Sequence, residues 1–275
     1  NSVLVSIVFS GILGIALGVG LAFASKKFAT ESDPKVDQLE EALPGANCGG
    51  CGFAGCRQFA ESLARGESEV TGCVVAGADQ HKALAAILGI DLTGPAVRKV
   101  AQVQCHGGNK EALQRADYVG LATCRAANSV GGGFKACEYG CLGLGDCVSV
   151  CQFDAIHMGD NGLPVVDFDA CTGCGACVKA CPRTIIELVN ELKPVHVRCR
   201  SLATGKQVRA VCQVGCIGCK ACERVCPTGA IKVNNNVAHI NYDECTACGA
   251  CVEKCPTKAI EFEVRLADMA KAVAS

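Results

Sequence analysis

Cysteine is the residue through which this chain could do chemistry. It holds 24 of them among 275 residues, and most stand in tight groups. Residues 171–182 read CTGCGACVKACP, 216–227 read CIGCKACERVCP and 245–256 read CTACGACVEKCP. Each is a C-x2-C-x2-C-x3-C-P run, the spacing with which bacterial ferredoxins hold [4Fe–4S] clusters through thiolates. A looser run, CEYGCLGLGDCVSVC (137–151), has the spacing C-x3-C-x5-C-x3-C and carries Gln152 where the others have proline. A different pattern, LPGANCGGCGFAGC (43–56), presents Cys48, Cys51 and Cys56, with Cys73 further on in TGCVVAG. Three clustered thiols and one distant one suit a [4Fe–4S] cluster. Structural zinc, the alternative, usually draws on two separated pairs. Disulfides would require an oxidising compartment.

In a two-cluster unit the fourth cysteine of each run ligates the cluster of the other run. That rule predicts four sets, and the spacing of the first cysteine loop one more. Cys48, Cys51, Cys56 and Cys73 form the first. Cys137, Cys141, Cys147 and Cys181 form the second, and Cys171, Cys174, Cys177 and Cys151 the third. Cys216, Cys219, Cys222 and Cys255 form the fourth, and Cys245, Cys248, Cys251 and Cys226 the fifth. Four cysteines remain, Cys105, Cys124, Cys199 and Cys212, and four is the number one more cluster needs. They are predicted to meet as a sixth site tying the segment before the first unit to the linker after it. Zinc or free buried thiols are the alternatives there.

The elements that must position these ligands follow from patterning. Residues 3–24 are apolar and uncharged, long enough at about 1.5 Å per residue to cross a hydrocarbon core of about 30 Å. Lys26 and Lys27 follow, which predicts a single-pass anchor in the cell (inner) membrane with the rest of the chain on the cytoplasmic side. A cleaved signal peptide is the alternative, and its positive leading region is not visible. Ser10, Gly14, Gly18 and Ala22 make a small-residue stripe suited to packing on another membrane helix. Asp33-Pro34 starts a short helix, and RQFAESLARG (57–66) forms another. After each ligand run comes a β-like segment: 153–158, 183–189, 228–233 and 257–264. The runs at 137–151 and 171–181 repeat as those at 216–226 and 245–255.

The predicted fold class is therefore α+β: one N-terminal transmembrane helix, a small helical 4Fe-4S domain and two ferredoxin-like 2x[4Fe-4S] units. The expected bounds are 1–25 for the anchor, 26–42 for a tether and 43–94 for the small domain. The first unit takes 95–212, with its core at 134–190, the second takes 213–264, and 265–275 forms a tail.

Charge and other residues narrow the function. The net charge of −1 argues against nucleic-acid binding. No glycine-rich phosphate loop follows a strand, so neither flavin nor NAD is expected on this chain. The five histidines show no proton-relay spacing, although His106 adjoins Cys105. No acidic residue lies between Glu191 and Glu223, and Arg198, Arg200, Lys206 and Arg209 in that stretch make a candidate docking surface for an acidic protein.

With these motifs in place, the chain resembles the RnfB family, the iron–sulfur components of the Rnf complexes, in its long, many-cluster form. The resemblance rests on the single span, on LPGANCGGCGFAGC, on CEYGCLGLGDCVSVCQFDAI and GLPVVDFDACTGCGACVKACPR, and on the C-terminal pair of runs. The family more usually has Cys-Pro where this chain has CVVAG after Cys73. The resemblance implies a component of a membrane-bound, ion-translocating ferredoxin:NAD+ oxidoreductase. Such a component takes electrons from soluble ferredoxin and passes them through about six [4Fe–4S] clusters to membrane and peripheral partner subunits. A membrane-anchored polyferredoxin serving other reductases is the competing expectation, and an iron–sulfur sensor a third.

Overall fold

The structure is a computed structural model that describes residues 2–27, 33–91 and 98–263. The expected tail at 265–275 and the boundary at 94/95 lie outside the described residues. The first helix, α1 (Ser2–Lys27), is long and apolar enough to cross a membrane by length and composition. Ser10, Gly14, Gly18 and Ala22 are exposed on it, and a Cβ built at Gly14 or Gly18 meets nothing of this chain within 4 Å.

Three helices build the small domain: α2 (Pro34–Ala42), α3 (Cys56–Ala64) and α4 (Ala78–Leu88). Pro34 fits the first turn of α2 because its missing N–H would have no partner there, and the Asp33 carboxylate accepts the Lys35 N–H at 2.9 Å. Helical spacing puts Val36 and Leu39 on one face, where they bury against Phe59 and Leu63 of α3 and Leu84 of α4. Each large side chain of that core contributes about 1.5–3 kcal/mol.

The remaining chain repeats one plan twice. In the first unit, β1 (Lys99–Val103) enters, followed by α5 (Cys124–Ser129), α6 (Asp146–Ser149), a hairpin of β2 (Ile156–Met158) and β3 (Pro164–Val166), α7 (Ala176–Ala180) and β4 (Ile186–Asn190). β1 pairs antiparallel with β4, Val100 opposite Val189. In the second, β5 (Val195–Val197) is followed by α8 (Gly205–Val211), α9 (Ala221–Val225), a hairpin of β6 (Ile231–Asn234) and β7 (Val237–Ile240), α10 (Ala250–Glu253) and β8 (Ile260–Phe262). β5 pairs antiparallel with β8, Val195 opposite Phe262. Each unit thus has a strand pair made of its ends and a central hairpin.

The opening strands lie ahead of the ligand runs: β1 falls within the expected first unit at 95–212 but before its core at 134–190, and β5 falls ahead of the expected second, which starts at 213. Both find partners that lie far along the chain, so local patterning alone does not mark them.

A third device ties the units together. Segment 111–115 runs between two distant stretches: the Leu113 N–H donates to Val211 O at 2.9 Å and the Gln213 N–H to Glu111 O at 2.9 Å. On the other side, the Arg115 N–H donates to Phe134 O at 2.8 Å and the Ala136 N–H to Leu113 O at 2.9 Å.

Candidate metal centres

Five cavities of comparable open space, 310 to 390 Å³, are each lined by four cysteines. Cys48, Cys51, Cys56 and Cys73 line one, between the loop ahead of α3 and the turn ahead of α4. Cys216, Cys219, Cys222 and Cys255 line a second, and Cys226, Cys245, Cys248 and Cys251 a third. In these three the structure gathers the cysteines that spacing groups together. Cys171, Cys174 and Cys177 also converge: burial, then the neighbouring Cys171 and Cys174, pushes the Cys177 thiol up to about 12. Cys151 packs against the same core.

The other two cavities correct the expected sets by one exchange. Cys137 lines a cavity with Cys105, Cys199 and Cys212, not with Cys141, Cys147 and Cys181. Cys124 takes its place beside Cys141, Cys147 and Cys181. The backbone supplies the reason. Segment 111–115, bonded on one side to 134–136 and on the other to 211–213, carries Cys137 to Cys212. Cys124 is drawn the other way by Asp146, whose carboxylate accepts the Cys124 N–H at 2.7 Å and the Arg125 N–H at 3.0 Å. Asp146 also opens α6, which holds Cys147, so one carboxylate joins two ligand segments. Sequence reasoning missed Asp146, although its position directly before Cys147 in GLGDC is visible.

A [4Fe–4S] cluster fits these sites. Their donor set is thiol throughout. In five of the sites the four cysteines line an open space of 310 to 390 Å³, as a cluster requires, whereas zinc needs only a point between its ligands. Backbone donors are aimed at sulfur as well. The Ala101 N–H donates to Cys171 Sγ at 3.4 Å, the Ala155 N–H to Cys151 Sγ at 3.4 Å and the Ala259 N–H to Cys255 Sγ at 3.2 Å. Such bonds favour the anionic thiolate and shape the potential of a bound cluster.

The sites adjoin one another in a row. A Cβ at Gly50, in the first cysteine loop, would stand 2.9 Å from Cys174 O. Cys177 feels the charge of Cys147 in the next site. The Cys141 N–H donates to Cys105 Sγ at 3.4 Å. The Cys216 backbone amide favours the Cys199 thiolate, against the burial that pushes that thiol up to about 12. Finally α9 packs on α10, and with them the last two sets.

The remaining candidates are placed as follows. Arg198 is largely buried and lies 3.5 Å from Glu261 and 3.8 Å from Glu263. Arg200 pairs with Glu187 at 3.7 Å. Lys206 and Arg209 are exposed on α8. Of the expected docking set, then, two cations are engaged with carboxylates of this chain. His106 Nδ1 is 2.8 Å from Glu261 Oε1, and buried His81 bonds Cys73 O through Nε2 at 3.0 Å. Neither is arranged as a relay.

Comparison with known proteins is consistent with this chemistry. An Fe-S cluster family model matches residues 43–75, a 4Fe-4S binding domain 164–187 and a 4Fe-4S dicluster domain 215–259. The B subunit of the Na(+)-translocating ferredoxin:NAD(+) oxidoreductase complex of Acetobacterium woodii is 48% identical, covering 89% of this chain and 73% of that protein. The B subunit of the ion-translocating oxidoreductase complex of Methanosarcina acetivorans is 48% identical over 85% of this chain and 88% of its own length. The B subunit of the proton-translocating ferredoxin:NAD(+) oxidoreductase complex of Clostridium ljungdahlii is 44% identical over 89% of this chain and 86% of its own length.

Proposed function

Because the chain belongs to the RnfB family of ion-translocating oxidoreductase components, we propose that it is the many-cluster electron relay of such a complex. Its electrons would come from reduced soluble ferredoxin and leave for partner subunits that serve NAD+. The observation that carries this reading is the row of cysteine sites, each touching the next.

Six sites would hold six [4Fe–4S] clusters. The sets are Cys48/Cys51/Cys56/Cys73, Cys151/Cys171/Cys174/Cys177 and Cys124/Cys141/Cys147/Cys181, then Cys105/Cys137/Cys199/Cys212, Cys216/Cys219/Cys222/Cys255 and Cys226/Cys245/Cys248/Cys251. Bound clusters supply one-electron chemistry, so the chain needs no acid, base or nucleophile. The protein's part is to keep the thiolates dry, to aim N–H groups at their sulfurs and to keep neighbouring sites in contact. The anchor α1 would hold this row at the cytoplasmic face of the membrane, its small-residue stripe meeting a membrane-embedded partner. Lys206 and Arg209 would meet an acidic ferredoxin. The names of the relatives differ in the ion they translocate, sodium in one and protons in another, so the ion is not assigned.

Anaerobic purification in detergent tests the reading. Six clusters correspond to about 24 iron and 24 sulfide per chain, and multi-span partner subunits should co-purify. A chain that holds less than half that iron would refute the relay. A fully loaded chain that purifies alone and exchanges electrons with several reductases would favour the free polyferredoxin. Charge reversal at Lys206 and Arg209 should slow reduction by ferredoxin at low salt and not at high salt.

A further inference from the structure

Lys135 is the one lysine or arginine that is fully buried among the described residues. Its side chain is 1% exposed. Nζ donates to Gly107 O at 2.7 Å. The lysines that form ion pairs among the described residues are Lys82, with Asp79, and Lys232, with Glu223; among those residues no carboxylate pairs with Lys135. Its backbone is fixed by the bridge to Gln114, in the same ladder that carries Cys137 to Cys212.

Removing an ammonium group from water costs several kcal/mol even after relaxation, and a neutral carbonyl does not offset that. The negative charge that can is nearby on two sides. Gly107 follows Cys105 by two residues, and a Cβ there would stand 2.9 Å from Cys212 Sγ. On the other side, the Cys141 N–H donates to Cys105 Sγ at 3.4 Å, which brings a ligand of the neighbouring site against the same 105–107 segment that Lys135 bonds. Lys135 therefore lies between the Cys105/Cys137/Cys199/Cys212 site and the Cys124/Cys141/Cys147/Cys181 site. An iron–sulfur core held by four thiolates is net anionic, and more so once reduced. A fixed cation in a low-dielectric interior stabilises the reduced form more than the oxidised one.

We propose that Lys135 is the internal counter-ion of these two central sites and sets their reduction potentials above what their cysteines alone would give. This rests on the reading that both cysteine sets hold clusters. It makes Lys135 a tuning residue that ligates nothing, placed where the row passes from the first unit to the second. A higher potential in the middle of a row would hold electrons there between delivery and departure.

The test uses the full chain, purified anaerobically, with iron and sulfide assays and an EPR-monitored redox titration. Lys135→Met keeps the length of the side chain and removes its charge. The expected result is wild-type iron content, one or two midpoints moved to more negative potential, and the others unmoved. Lys135→Arg, which keeps the charge, should leave the midpoints close to wild type. Full iron with every midpoint unchanged in Lys135→Met overturns the proposal. Should Lys135→Met lose iron, Lys135→Arg decides: retention supports the counter-ion role, and equal loss in both overturns it. Failure of the underlying reading looks different, because the wild-type chain would then lack the iron of the central sites before any substitution is made.

Discussion

A thiol that is buried among other thiols resists ionisation, and the ligand cysteines show it. Burial pushes Cys141, Cys177 and Cys199 up to about 12 and Cys147 and Cys222 up to about 11, from an ordinary 9.0, with neighbouring thiols adding to the shift in each. These folded values lie above the unfolded one. The metal-free fold therefore keeps this stabilisation below pH 9, and loses it as pH rises from there through the folded values. Iron removes the dependence, because bound sulfur is already deprotonated. Thermal melts at pH 7.5 and pH 10 should show the metal-free chain destabilised at the higher pH and the loaded chain much less so; equal losses would mean that other groups are responsible. Which cysteines meet was legible where one loop supplies three ligands and the fourth follows from the loop's own spacing or from the paired run, as with Cys73, Cys226 and Cys255. C-x2-C-x2-C places three sulfurs on a single turn, so the sets in the second unit follow from spacing. Cys124 and Cys137 are assigned by a carboxylate and by a backbone ladder between segments about a hundred residues apart, and neither leaves a local pattern. Lys135 is equally silent, since one lysine in GGGFKAC reads as a surface residue until the ladder closes over it.

The repeated element behind the sites is the turn after each fourth cysteine. Three residues beyond Cys151, Cys181, Cys226 and Cys255 stand Asp154, Thr184, Gly229 and Lys258, with φ of 51°, 50°, 68° and 53°. This left-handed residue swings the next N–H back toward the ligand sulfur, as Ala155 does for Cys151 and Ala259 for Cys255. The run at 137–151 makes the same turn without its proline, so Pro is a preference there and the left-handed residue is the shared feature. Only Gly229 adopts it without a steric cost. A Cβ at Gly229 would meet nothing nearer than Lys232 Nζ at 3.9 Å, so substitution is penalised through the backbone alone. Gly229→Val should lower stability by about 1–2 kcal/mol, read as a lower denaturation midpoint with iron retained, whereas Thr184→Gly should be tolerated. An unchanged Gly229→Val would mean that the turn can relax. The expected β-like segments at 153–158, 183–189, 228–233 and 257–264 took in these turn residues; the strands begin later, at Ile156, Ile186, Ile231 and Ile260, because the left-handed residue must first turn the chain back over the ligand sulfur. The opening strands β1 and β5 were not foreseen: a strand of three to five residues with a distant partner carries too little periodicity to stand out.

At the scale of the whole molecule, the row of sites is only as continuous as its narrowest contact, and that contact lies between the small domain and the first unit. The other junctions are held by backbone ladders or by packed helices. Here the first cysteine loop reaches Cys174 through Gly50, where a Cβ would come to 2.9 Å from the Cys174 carbonyl oxygen and 3.2 Å from its Cα. Both are backbone atoms, which do not rotate aside as the end of a side chain would. Glycine at 50 is therefore explained by the approach of the two units: it lies between ligands of one site and touches a ligand of the next. Gly50→Ala should push the units apart while leaving all four cysteines of the first loop in place. Iron content should match wild type. Reduction by a rapid-mixing pulse of ferredoxin should then split into two phases, one belonging to the site in the small domain and the other to the remaining five. The separation should grow with a larger residue at the same position. A single phase at the wild-type rate, with full iron, would mean that electrons do not cross at Gly50, and that the small domain stands beside the row instead of within it.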